Sequence, residues 1–220
     1  MVDATFKHPF RCLISGPSSS GKTQLLKDIL LNKEDFFSPE NSAKYVFFYY
    51  NIWQPTYKDI KSQISNVEFI QGTPSLTQFE DLACRYMDDG GSLFIIDDGL
   101  NISNKDLEAI FTTKSHHCNA SVIYVTQNLF AKTPEFRLLS LNSQYIFIMK
   151  NPRDSAQVST IAGQISLKNR KLIEDSYKKA TEKQYSYLLL DLHQSTPDDL
   201  RLKSNIFPPT LPIVAYVSVN

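Results

Sequence analysis

The chain has 220 residues, 42% of them hydrophobic and 21% charged, and its 23 Lys and Arg are balanced by 23 Asp and Glu. That length buries a substantial core and favours one domain, and the neutral balance excludes a bulk basic charge, so any nucleic-acid partner must be met by a local patch. Cys12, Cys84 and Cys118 are odd in number and far apart, which fits reduced thiols in an intracellular protein; no leader-like segment and no apolar run near the ~18 residues of a membrane span occurs, so a soluble, non-secreted chain without membrane association is expected.

The first element is an apolar stretch at residues 10–14. It runs into Gly16, Pro17, Ser18, Ser19, Ser20, Gly21, Lys22 and Thr23, and an amphipathic helix is predicted over 24–31. This is the P-loop pattern GxxxxGK[ST] between a strand and a helix. Successive loop N–H groups form an anion nest, the helix dipole points at the same place, and the two glycines permit close backbone approach. A nucleoside triphosphate with Mg²⁺ is the implied ligand, with Lys22 on the terminal phosphates and the Thr23 hydroxyl on the metal.

Residues 45–50, an unbroken aromatic and β-branched run, read as a strand buried on both faces. Trp53 follows it, either as a platform for a nucleotide base or as a core aromatic. A short helix is predicted over 57–64 and a strand over 67–70. Leu76, Phe79, Leu82, Ala83 and Tyr86 recur at helical spacing, with Ser75 or Thr77 as the candidate N-cap.

After a turn at 88–91, residues 92–98 form a hydrophobic strand ending in Asp97 and Asp98. That is the Walker B pattern, in which one acid holds the Mg²⁺ shell and the next orients or deprotonates the attacking water. Asp97 is assigned to the metal and Asp98 to the water. A helix is predicted over 104–117. Residues 121–128 are again an apolar strand with a polar end, and Gln127 there is a candidate sensor of the γ-phosphate if this strand lies between the P-loop and Walker B strands.

A short helix at 134–141 carries Arg137, a strand spans 144–149, and Arg153 follows it. Helices are predicted over 155–165 and 167–182. Residues 150–183 hold eight Lys and Arg against four Asp and Glu, a bias that fits a solvated helix face or a DNA contact. Strands at 185–192 and 200–206 bracket a candidate hairpin turn at 197–199, and an extended tail begins at 207. The core of the single ATPase domain is placed at about residues 10–165, with an extension over about 166–220.

Other constellations fail on spacing. Asp88 to Gly91 fits DxxG and Asn104-Lys105-Asp106 approaches NKxD, but the first precedes its strand and the second lacks its spacer residue. His116, His117 and Cys118 are consecutive and have no second ligand pair at zinc spacing, and no GxSxG occurs.

Taken in order, GPSSSGKT, LFIIDDG, HHCNASVIYVTQNLF and EFRLLSLNSQYIFIMKNPRD, with a helix after them, resemble the genome-packaging ATPases of the FtsK–HerA superfamily. The likeness is to those of Polinton/Maverick elements, adintoviruses and related double-jelly-roll DNA viruses, cousins of the poxvirus packaging ATPase, and it covers residues 10–165. It implies an α/β P-loop NTPase of the additional-strand, RecA-like class, with a mostly parallel sheet and helices on both faces. It also implies a homo-oligomeric ring of five or six subunits around double-stranded DNA, and ATP hydrolysis that drives the genome into a preformed capsid at a vertex. The place of work would be the host nucleus or cytoplasm.

In such rings an arginine from the neighbouring subunit completes the site; Arg137 is preferred here and Arg153 is the second candidate. Two departures stand out: Asp98 replaces the usual Glu, and Cys118 stands where relatives often carry a basic residue. The chain ends without the nuclease domain of tailed-phage large terminases, which suggests a motor that pumps unit-length genomes. The alternatives are a P-loop nucleotide or nucleoside kinase, and a nucleotide-binding assembly factor with negligible turnover.

Overall fold

The computed structural model describes residues 4–37, 43–97, 104–127, 134–153, 156–165, 169–207 and 212–218, the side chains at 104, 134–136 and 157 excepted. In chain order β1 (Arg11–Ser15) leads to α1 (Lys22–Leu31), α2 (Lys33–Phe36), β2 (Tyr45–Tyr50), α3 (Pro55–Gln63), β3 (Val67–Gln71), α4 (Leu76–Arg85) and β4 (Ser92–Asp97). Then follow α5 (Asn104–Ala109), a π-helical turn (Ile110–Lys114), α6 (Ser115–His117), β5 (Ala120–Thr126), α7 (Pro134–Asn142), β6 (Tyr145–Met149), α8 (Ala156–Ile165) and α9 (Arg170–Ala180). The chain closes with β7 (Tyr187–Asp191), a 3₁₀ turn (Asp198–Leu200), β8 (Leu202–Ser204) and β9 (Val214–Ala215).

Among the described residues nine strands form one sheet in the order β3-β2-β4-β5-β1-β6-β7-β8-β9. β1 to β6 pair in parallel, and β7, β8 and β9 extend the sheet antiparallel. The central strands lack polar alternation because both faces are covered; all six residues of β4 are buried. Successive side chains nevertheless part to opposite faces. Leu13, Phe94 and Ile96 join one core with Phe79 of α4, Phe111, Leu139 of α7, Ile161 of α8 and Ile173 of α9. Cys12, Ile14, Leu93 and Ile95 join the other with Leu26 and Ile29 of α1 and Tyr57 and Ile60 of α3.

The start of α4 is set by Ser75, whose Oγ accepts from the Gln78 N–H while Gln78 Oε1 accepts from the Ser75 N–H, a reciprocal capping box. The helix expected over 104–117 is interrupted: residues 110–114 wind as a π turn. Arg11 supplies the reason the turn is tolerated, because its half-buried guanidinium donates to the Phe111 carbonyl at 2.9 Å and the Thr112 carbonyl at 3.3 Å. Burial pulls the pKa of Arg11 down from its ordinary value.

The tail beyond 207 had no assigned role from sequence. Part of it forms β9, which pairs with β8, and the Tyr216 N–H donates to the Leu202 carbonyl at 2.9 Å. β7 and β8 share a buried ion pair, Lys203 Nζ to Asp191 Oδ2 at 2.7 Å, and Asp191 Oδ1 accepts further bonds from the Thr196 hydroxyl and the His193 N–H. A charge pair this deep persists only because the carboxylate's remaining lone pairs are also met.

Candidate functional site

β1 stops at Ser15, opposite Thr126 in register, and the Gly16 N–H donates to the Thr126 carbonyl at 3.3 Å. A Cβ on Gly16 would stand 2.5 Å from Met149 Cβ and 2.7 Å from Ser20 Oγ, so the loop can leave the sheet here only as glycine. Gly21 caps α1 at φ +97, a left-handed geometry a side chain would strain, and no side-chain oxygen caps the helix. The first-turn N–H groups of α1 therefore meet the cleft that Gly21, Lys22, Thr23 and Gln24 line. Lys22 Nζ donates back to the Gly16 and Pro17 carbonyls at 2.7 and 2.9 Å, and Ser20 Oγ is buried with no hydrogen-bond partner among the described residues.

The strand order supplies the other wall. β5 lies between β1 and β4, as the sensor assignment of Gln127 requires, and Asp97 pairs with Val125 across β4 and β5. The carboxyl ends of three adjacent parallel strands thus open beside the P-loop, where the sheet's connections diverge and α/β folds bind ligands. Asp97 is the last residue of β4 and only 5% exposed, and its Oδ2 accepts from the Tyr57 hydroxyl at 2.7 Å. The Thr23 hydroxyl donates to Gln54 Oε1 at 3.1 Å, and the Ser18 hydroxyl to Gln127 Oε1 at 3.4 Å. Asp97, Thr23, Gln54, Ser18 and Gln127 line a cleft of about 420 Å³ together with the start of α1, Ser19, Thr56, Val125, Thr126 and Tyr185.

Lys22 and Thr23 of the P-loop and the distant Asp97 and Gln127 are brought together here. Asp98 lies outside the described residues. Arg137 on α7 and Arg153 after β6 are exposed and do not belong to the described lining of the cleft. Trp53, read as either a base platform or a core aromatic, is 44% exposed, packs edge-on against Tyr50, Tyr57 and Phe69, and does not belong to the described lining of the cleft. Four lining or supporting residues escaped the sequence reading: Gln54, Thr56, Tyr57 and Tyr185. None belongs to a motif. The only local signal was the aromatic cluster at the end of β2, which pointed to Trp53 rather than to its neighbours.

The donor set fits Mg²⁺. A hydroxyl on Thr23 and a carboxylate on Asp97, both in the lining of the cleft, are the hard oxygen ligands this ion takes.

The fold and the cleft define an α/β P-loop NTPase architecture in the additional-strand order. Among solved structures, the genome packaging NTPase B204 from Sulfolobus turreted icosahedral virus 2 matches in its complexes with sulfate and with AMPPCP. The TM-scores are 0.57 and 0.58 at 15% identity, covering 96% of this chain and 97% and 98% of that one. ATPases 2 and 3 of EssC from Geobacillus thermodenitrificans match at TM-score 0.48 and 11% identity over 70% of this chain and 34% of that one. No model of a known protein family matches the sequence, and no curated protein matches it.

Proposed function

We propose that the chain is the ATPase of a DNA-packaging motor, hydrolysing ATP to drive double-stranded viral DNA into a preformed capsid. The observation that carries this reading is the convergence of Lys22, Thr23, Asp97 and Gln127 on one cleft at the ends of β1, β4 and β5. It is supported by the fold's likeness to a genome packaging NTPase along nearly the whole of both chains, one copy of which carries AMPPCP.

In this reading the loop N–H groups and Lys22 hold the β- and γ-phosphates, and Lys22 exchanges its loop carbonyls for phosphate oxygens. Thr23 and Asp97 hold Mg²⁺, which when bound neutralises charge on the phosphates. Gln54, bonded to the Thr23 hydroxyl, keeps that oxygen oriented. Asp98, next in sequence after the end of β4, takes the proton of the attacking water. Gln127 contacts the γ-phosphate from the β5 side. Arg137 or Arg153 of a neighbouring subunit neutralises charge on the transferred phosphoryl group, so that each site is shared across a homo-oligomeric ring of five or six subunits. The membership proposed is in the FtsK–HerA superfamily, with work inside the host cell where capsids assemble.

Steady-state phosphate release by a verified oligomer tests this. Duplex DNA should stimulate turnover, and Lys22→Ala or Asp98→Asn should abolish it. An oligomer whose hydrolysis ignores every duplex offered would count against a translocase, and appearance of a phosphorylated acceptor would favour a kinase.

A further inference from the structure

Beyond the P-loop itself, the groups that would face the terminal phosphate and metal lie to one side of the P-loop strand. Asp97 ends β4, Gln127 follows β5, and both strands are on the same side of β1; Gln54 and Thr56 follow β2, farther out on that side. The lining residue on the opposite side is Tyr185, just before β7, beyond β6. A triphosphate seated with its terminal phosphate toward Asp97 and Gln127 therefore carries its base across Gly21 toward Tyr185.

Tyr185 is built for that position. It is 57% exposed, and its ring lies against the backbone of Gly21, where a Cβ would stand 3.2 Å from Tyr185 Cβ and 3.3 Å from Cδ1. Its backbone is held at φ +62, a geometry unfavourable for an aromatic residue and one that Asn or Gly would adopt more readily. The loop is pinned on both sides of it. The Lys150 N–H donates to the Ser186 carbonyl at 3.0 Å, Lys150 Nζ to the Glu182 carbonyl at 2.6 Å, and the Ser186 hydroxyl to the Lys183 carbonyl at 2.6 Å. A large aromatic face is thus fixed in solvent at the rim of the cleft without burying itself in any core.

We propose that Tyr185 is the platform on which the purine of the bound nucleotide stacks. This rests on the nucleotide reading of the cleft. The recognised chemistry is a flat π surface, so the platform contributes affinity for adenine and guanine alike and leaves the choice between them to other groups.

Titration calorimetry of the intact chain with Mg²⁺ and either ADP or inorganic tripolyphosphate, which has charge but no base, separates the two levels. Tyr185→Asn, which tolerates the left-handed backbone, should weaken ADP by about ten- to a hundredfold while leaving tripolyphosphate unchanged. Tyr185→Phe should retain the affinity for ADP, since the ring and not the hydroxyl does the stacking. The platform is overturned if the Asn variant binds ADP like the wild type, if it loses both ligands in equal measure, or if the Phe variant is as weak as the Asn variant. A wild-type chain that binds neither ligand would sink the nucleotide reading and the platform with it. If only Lys22→Ala loses both ligands, the phosphate site stands whatever Tyr185 does.

Discussion

Tyr57 and Asp97 are 40 residues apart in sequence, yet the phenol of one is the buried hydrogen-bond donor to the carboxylate of the other. A bond to an ionised acceptor is worth on the order of 1.5–3 kcal/mol, enough to hold the carboxylate in one rotamer. Tyr57 itself is 1% exposed and is wedged between Phe48 and Phe69 at centroid distances of 4.9 and 5.8 Å, so its hydroxyl has little freedom to move. It is a positioning residue for the proposed metal ligand. Tyr57→Phe keeps the packing and removes the bond, and it should raise the Mg²⁺ concentration needed for half-maximal nucleotide binding by about tenfold, with ATP turnover at saturating Mg²⁺ less affected. An unchanged Mg²⁺ dependence would show that the bond serves packing alone. The contrast with the P-loop explains what sequence could disclose at this scale. Eight consecutive residues carry their own geometry, so Gly16 to Thr23 were legible at once. Tyr57, Gln54 and Tyr185 act only because distant segments meet, and no spacing rule encodes that.

Elements were legible where hydrophobic pattern and burial coincide. The apolar runs read at 45–50, 92–98, 121–128 and 144–149 coincide with the strands Tyr45–Tyr50, Ser92–Asp97, Ala120–Thr126 and Tyr145–Met149, because a strand covered on both faces needs an unbroken apolar run. The π turn at 110–114 was not, since its carbonyls are satisfied by Arg11 from another strand, nor was β9, which exists by pairing with β8. The segment before β1 was equally silent, and besides the buried Phe6 and its backbone bond to Phe36 it is held by an imidazole. His8 is buried, its Nε2–H donates to the Asn119 carbonyl at 3.1 Å, and its Nδ1 accepts from the Ser121 hydroxyl at 2.6 Å, which in turn accepts from the Phe10 N–H. A Cβ on Gly91 would come within 2.5 Å of both that carbonyl and His8 Nε2, so the pocket is closed around a neutral ring. Burial lowers the His8 pKa from 6.5 to about 4. The unfolded chain therefore binds the extra proton first: the contribution is whole above pH 6.5 and is lost as pH falls toward 4, by about 3 kcal/mol in all. Thermal melts from pH 7 to 4 should show this slope, and His8→Gln should flatten it; identical slopes in the two proteins would place the acid sensitivity elsewhere.

At the scale of the whole molecule, the sheet order puts β5 between the P-loop strand and β4, so one chain supplies a phosphate cradle and a polar far wall. The sensor assignment of Gln127 anticipated that order and the candidate hairpin anticipated the antiparallel pairing of β7 with β8, whereas β9 was visible only as a tail. The two arginines read from the sequence are exposed and are not among the described lining residues of the cleft, which leaves them available for the proposed role on a neighbour's site. In the proposed head-to-tail ring each site would take Lys22 from one subunit and the arginine from the next. That arrangement makes a prediction no single-chain site can meet. Lys22→Ala subunits and Arg137→Ala subunits should each be inactive alone. Mixed in equal amounts and allowed to exchange, they should regain activity, because about one interface in four then joins an intact Lys22 to an intact arginine. The gain should be large enough to measure, since an arginine finger is worth on the order of 10³ to 10⁵ in rate. Arg153→Ala mixed in the same way decides between the two arginines. If both single arginine variants hydrolyse ATP as the wild type does, each site is complete within its own subunit and the ring does not share its chemistry.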